Sequence, residues 1–303
     1  MAALACNSKG AASSAPPPVA VSATAAAVAA PTPSATAAVA PTAVAPAAAA
    51  PSAAASAAPA PADAAPGLVY SVVGVASNDV LNVREKPEVS SKKVYSYAPV
   101  VKNIHATGQH VEKGATPWIE VSFEGGTGWV NRLYLSEVHP NGGCNDPALT
   151  ALIRAFEKAI TDSDGAGLKA VVSPLRGLTV TPESKPLKFP FASLDSVFTS
   201  PAVLNLGPGS GGGPDITGTF KATIDVTLRK SILTKGAHES CGKLETGGSA
   251  STPPSLDEFP GVTPVSFYFG GVDGSGWVTW VGSIEYVDGK PYFSALKQFQ
   301  WEI

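Results

Sequence analysis

Between Gly10 and Pro66 the chain carries one charged residue, Asp63, and no aromatic one. A segment built from Ala, Pro, Ser, Thr and Val has nothing large to bury. It cannot offset the entropy of ordering its backbone, and its prolines interrupt any helix the alanines start. Residues 10–66 are therefore expected to be a disordered Ala/Pro-rich linker. Its prolines favour extended polyproline-like runs, a semi-stiff spacer that reaches on the order of 100 Å or more. Folding is confined to residues 67–303, enough for a small domain and a medium one.

The formal net charge is −3, and Lys9 and Asp63 cancel, so the folded part carries the small acidic excess. No basic stripe argues for nucleic acid. The long apolar runs are alanine broken by proline and lack the composition of a spanning helix, so the folded part is expected to be soluble. The three cysteines are Cys6, Cys144 and Cys241. One near the N-terminus and two in the last domain suggest a modified cysteine plus a Cys144–Cys241 disulfide, which requires an oxidising compartment. Two unpaired buried thiols are the alternative.

Residues 67–137 read as short strands separated by turn signals, the pattern of a small all-β barrel. The expected strands are Val69 to Ala76, Val80 to Arg84, Val100 to Thr107, Trp118 to Phe123 and Gly128 to Asn131. Leu81 and Val83 alternate with Asn82 and Arg84, so one face is core and the other is wet. Leu81 to Pro87, with the polar stretch Glu88 to Lys93, resembles the opening signature of the bacterial Src-homology-3-like domain. Trp118 to Val121 and Gly125 to Leu135 resemble its closing signature. The resemblance implies an interaction module, often directed at peptidoglycan or other envelope material, with no catalysis of its own. Tyr95, Tyr97, Trp118, Trp129 and Tyr134 are the aromatics that could line a ligand groove; ordinary core packing is the competing role for each.

Residues 138–146 read as a hinge, and residues 147–303 as an α+β domain with an N-terminal helix and a curled antiparallel sheet. Asp146 and Pro147 have the chemistry of an N-cap and first helical position. Leu149, Leu152, Ile153, Phe156 and Ile160 recur at helical spacing. A short turn over Leu168 to Val172 follows. Expected strands are Leu178 to Thr181, Thr217 to Arg229, Val265 to Phe269, Trp277 to Val287 and Tyr292 to Glu302, with Asp288-Gly289 turning the last hairpin. This order is similar to the nuclear-transport-factor-2-like cone. Asp288 to Tyr292 and Phe299 to Ile303 also resemble the region that follows Src-homology-3-like domains in some bacterial envelope proteins. The run Gly207 to Pro214 lacks the Gly-Lys-Ser/Thr ending of a phosphate loop and reads as a flexible loop.

Candidates for catalysis are few. His105 and His110 flank a turn without further metal ligands, and His238-Glu239-Ser240-Cys241 offers a thiol beside a histidine but no fixed geometry. Trp277 and Trp280, with Glu285 or Asp273, could line a cone cavity that holds a small ligand, although strand spacing also suits them to core packing. No catalytic residue, metal or cofactor is expected.

Ala3-Leu4-Ala5-Cys6 resembles the bacterial lipobox, which implies lipidation of Cys6. Residues 1–9 then read as a residual signal and lipobox region. Four residues between Met1 and Cys6 are too few for a secretory signal. Either translation begins upstream, or Lys9 and the apolar Val19 to Ala30 serve as a poor signal. The expected protein is a non-enzymatic, exported lipoprotein of the cell envelope. Its barrel binds peptidoglycan or an envelope protein, its membrane contact runs through the lipid, and it has no nucleic-acid partner. A small-ligand-binding or enzymatic cone-like domain, merely targeted by the barrel, is the alternative.

Overall fold

The computed structural model describes residues 67–114, 116–139, 143–182, 185–209, 212–248, 255, 261–271 and 276–300. The linker, Cys6, Asp273 and Trp301 lie outside them.

The first folded domain is a seven-stranded sheet: β1 (Val69–Val72), β2 (Leu81–Arg84), β3 (Lys93–Tyr97), β4 (Ile104–Lys113), β5 (Thr116–Phe123), β6 (Gly126–Asn131) and β7 (Leu135–Glu137), with a 3₁₀ turn at Arg132–Tyr134. The order is β3-β2-β6-β5-β4-β1-β7, with antiparallel pairing throughout. Alternation places Leu81, Val83, Ile119, Val121 and Val130 inside with Tyr70, Val72, Ile104 and Leu135. Gly128 lets β6 approach β2: a Cβ there would meet Val83 Cγ1 at 2.7 Å and the Arg84 carbonyl at 3.0 Å. The sequence misplaces two features. Lys93–Tyr97 is a strand outside the expected set, with four of its five residues exposed. His105 and His110 sit on one long strand, β4, with a register shift between Ala106 and His110, and not on either side of a turn.

The second domain opens with α1 (Pro147–Asp162), which buries Leu149, Leu152, Ile153, Phe156, Ala159 and Ile160. Asp146 caps it, accepting from the Ala148 N–H at 2.8 Å, and Pro147 takes the position where a missing N–H costs nothing. There follow α2 (Gly165–Val171), β8 (Leu178–Thr181), β9 (Leu187–Phe189), a 3₁₀ turn at Phe191–Ser196, β10 (Leu204–Pro208), β11 (Asp215–Gly218), α3 (Ile224–Leu233), β12 (His238–Cys241), β13 (Thr263–Phe269), β14 (Val278–Val287) and β15 (Lys290–Gln300). A six-stranded sheet of order β12-β13-β14-β15-β8-β9 curls over the helices. It is antiparallel except where β15 meets β8.

Of the expected strand over Thr217 to Arg229, Thr217 and Gly218 lie in β11, and the part from Ile224 is corrected to α3. Ile224, Val226 and Leu228 alternate like a strand, but Phe220, Ile224 and Leu228 also fall four apart. Phe220, Ile224 and Leu228 are buried, while Val226 is 58% exposed. Cys241 ends β12. The glycine-rich run is the turn between β10 and β11, with 210 and 211 outside the described residues.

The sheet has two unlike faces. Val278, Trp280, Ile284 and Tyr286 of β14 join Phe156, Phe267, Phe293 and Leu296 in the core under the helices. On the other face, the segment around Lys243–Gly248 crosses the β13–β14 end. Ser266 Oγ donates to the Lys243 carbonyl at 2.7 Å and Thr279 Oγ1 to the Glu245 carbonyl at 2.6 Å. The seven-stranded sheet meets this outer side. Ser71 Oγ donates to the Gly261 carbonyl at 3.1 Å, and the Tyr286 N–H to Ser136 Oγ at 3.0 Å.

Candidate ligand cleft

A cleft of about 420 Å³ opens on the seven-stranded sheet between the segment at residues 74–80, the loop after β2 and the 3₁₀ turn. Trp118, only 3% exposed, and Tyr134, 40% exposed, are its aromatic surfaces. Val80 and Val89 give it an exposed apolar rim. Local chemistry fixes the frame. Asn131 Oδ1 accepts from the Leu133 N–H at 3.0 Å and so starts the 3₁₀ turn that carries Tyr134. Arg84 Nη1 donates to the Ser91 carbonyl at 2.7 Å, and the Lys86 N–H to Ser91 Oγ at 2.9 Å, which folds the loop back on itself. Asp79 and Arg84 both line the cleft, giving it one charge of each sign. Such a lining can stack a ring and hydrogen-bond an extended ligand.

Of the five aromatics singled out in the sequence, the structure brings Trp118 and Tyr134 together in this cleft. Tyr95 stacks on Phe123 with ring centroids 4.9 Å apart and meets Tyr97 edge-on at 5.1 Å. That cluster lies apart from the cleft lining. Tyr97 is buried, donates its hydroxyl to the Ser122 carbonyl at 3.0 Å, and has its phenol pushed up to about 12 by burial. Trp129 is half-buried, opposite Arg84 and Glu120 on neighbouring strands. Sequence reasoning missed Asp79, Val80, Arg84, Val89 and Asn131. Arg84 and Asn131 end β2 and β6, and residues at strand ends announce no partner until the chain is folded.

Trp277, Trp280 and Glu285 are all buried. Trp280 packs in the core under the helices. Trp277 donates Nε1–H to the Gly248 carbonyl at 2.7 Å. Glu285 points to the opposite face of β14 from Trp280, where it forms an ion pair with Arg176. Burial, aided by the Arg132 charge, lowers Arg176 to about 10, so it stays a cation at neutral pH.

Cys144 and Cys241 form a disulfide, their Cα atoms 5.5 Å apart, joining the approach to α1 to the end of β12. The Cys241 sulfur is therefore not a thiolate for His238, whose ring lies 5.4 Å from that of Tyr268. The segment read as a hinge is held at three points: His139 stacks on Tyr286 at 5.2 Å, Cys144 is bridged, and Asp146 accepts from the Tyr286 hydroxyl at 2.6 Å.

Glu137, at the end of β7, joins the two domains. It pairs with Arg132 at 2.8 Å and accepts the backbone N–H groups of Asp288 and Gly289 at 2.9 and 2.7 Å. Arg132 lies over the Tyr70 ring at 5.1 Å, and burial pushes the Tyr70 phenol up to about 12.

No known protein-family description matches the chain, and no curated protein matches it. Among solved structures it is similar to an NTF2-like protein of unknown function from Silicibacter pomeroyi. The identity is 9% and the TM-score 0.26, over 50% of this chain and 92% of that one. A likeness at that level does not bear on what this chain does. Among the described residues no helix is long and apolar enough to cross a membrane.

Proposed function

We propose that the chain is a non-enzymatic protein of the cell envelope, exported and lipid-anchored at Cys6, whose barrel is a bacterial Src-homology-3-like module that binds peptidoglycan or an envelope protein. The observation that carries this reading is the convergence of Trp118 and Tyr134 in one cleft beneath the Val80–Val89 rim. An aromatic cleft edged by Asp79, Asn82, Arg84 and Asn131 suits the capture of an extended ligand. The Cys144–Cys241 bridge supports the compartment, since such bonds persist where the surroundings oxidise. No cofactor is invoked.

The test is co-sedimentation of the full chain with insoluble, protein-free peptidoglycan. The wild type is expected to pellet with the wall, and Val80→Glu combined with Val89→Glu to stay in the supernatant. Wild-type protein that pellets no better than a non-binding control removes the wall-binding function. Mass spectrometry of the N-terminus from cells reads the anchor separately: an unmodified Cys6 on cytosolic protein ends that part of the reading.

A further inference from the structure

A second, larger cleft, of about 610 Å³, lies between the barrel and the outer face of the second domain's sheet. Its floor has a simple origin. Register aligns Ser283 of β14 with Ala295 of β15, Ala295 with Thr179 of β8, and Thr179 with Lys188 of β9. All four line the cleft. Three of them are small, so the row cannot reach the barrel and leaves a trough at its foot. The register shift at Ser283/Ile284 belongs to the same place. It puts Phe293 and Leu296, three apart in β15, both on the core side and leaves Ala295 on the outside.

The barrel supplies the opposite wall from Val73 to Ala76 and from Leu133 with Tyr134. Gly74 holds φ +67° there, and a Cβ on it would sit 2.9 Å from Arg176 Nη1. The guanidinium is thus wedged against the barrel wall while Glu285, behind it, holds its other side. Arg176 and Lys188 are the charged residues of the lining, and no carboxylate lines it. Glu285 offsets Arg176, and Lys188 has no ion pair among the described residues, so the trough carries a net positive charge. Thr179, Ser283 and the Tyr134 hydroxyl add neutral hydrogen-bonding groups. Tyr134 and residues Gly74 to Ala76 also line the barrel cleft, so the two openings adjoin.

We propose that this trough binds a short oligosaccharide bearing a carboxylate. Lys188 and Arg176 take the carboxylate, the hydroxyl floor takes the sugar, and Tyr134 offers its half-exposed ring as the platform between the two clefts. The volume falls within the range of small-molecule sites. A row of Ser, Ala, Thr and Lys is too polar for an apolar ligand, and the lining charge disfavours a cation. That the saccharide comes from wall glycan rests on the function proposed above; the match of charge and shape does not.

The experiment is calorimetric titration of the full chain with the disaccharide N-acetylglucosaminyl-N-acetylmuramic acid, run beside its carboxyl methyl ester. The free acid is expected to bind, and the ester at least about tenfold more weakly, the cost of losing a charge-assisted contact. Lys188→Gln is expected to weaken the acid by about the same factor. Ala295→Phe, which fills the trough from an exterior strand position, is expected to abolish binding while the melting curve of the chain stays cooperative. The barrel-rim double variant, Val80→Glu with Val89→Glu, is expected to keep the disaccharide affinity. A loss of wall sedimentation in that variant with disaccharide binding retained separates the two sites. The proposal is overturned if acid and ester bind alike, if Lys188→Gln and Ala295→Phe bind as the wild type does, or if only a carboxylate-bearing peptide such as D-alanyl-D-alanine binds.

Discussion

Asp146 shows how a single side chain serves two scales at once. Its carboxylate caps α1 through the Ala148 N–H and accepts from the Tyr286 hydroxyl. That hydroxyl bond, helped by the Ala148 amide against the opposing effect of burial, holds the Asp146 carboxyl below its ordinary value of 3.8. A carboxyl depressed in the folded state contributes stability that is present above its unfolded value and is lost as pH falls through the folded one. The wild type should therefore lose stability on acidification below about pH 4. Asp146→Ala should cost about 2 kcal/mol at neutral pH, and its stability should fall less steeply over the acid range. Denaturant titrations of both proteins at several pH values measure this; parallel acid slopes would mean that Asp146 does not carry it. The cap was legible in the sequence because its chemistry lies within two residues. Its phenol partner was not, because Tyr286 is 140 residues away and only folding brings it near. The disulfide was legible for another reason: two cysteines within the last 160 residues leave few alternatives.

Elements were legible wherever one period dominated. The strands β13, β14 and β15 fall close to their expected places because their turn signal, Asp288-Gly289, and their alternation agree. α3 was hidden because its residues satisfy two periods, and only the packing of Phe220, Ile224 and Leu228 against the sheet chooses between them. Val226 then tests the choice. In a helix, replacing this exposed β-branched residue with Ala should raise stability by about 0.5 kcal/mol. In a strand the same change should lower it. Chemical denaturation of Val226→Ala reads the sign directly, and destabilisation would count against a helix at this position. The barrel cleft was half legible. Its aromatics stand out in composition, but Tyr95 and Tyr97 left the group because strand parity and Phe123 claim them. No period reveals which loops will close over Trp118.

At the scale of the molecule, one tie closes the second folded part on itself and another joins it to the first. The Cys144–Cys241 bond closes a loop of 97 residues, and on the loop-entropy account its reduction should cost about 4 to 5 kcal/mol, measured by unfolding with and without reductant. The other tie is Glu137. Its carboxylate neutralises Arg132, itself 7% exposed, and receives both amides of the β14–β15 turn, so the end of the barrel and the tip of the longest hairpin share one acceptor. Removing a buried carboxylate that serves three donors leaves a buried cation with only the exposed Asp288 carboxylate, 3.8 Å away, and two amides without an acceptor, a loss of about 3 kcal/mol. The loss falls where the two cores come closest, with Tyr70 of one cluster paired beside Glu137 and Tyr286 of the other beside Ser136. Scanning calorimetry of the wild type should therefore show the barrel and the α+β domain unfolding in one transition. Glu137→Ala should split it into two, with the barrel melting first because its core is the smaller. A single transition in Glu137→Ala, shifted but undivided, would place the coupling elsewhere in the interface, at Ser136 and Ser71.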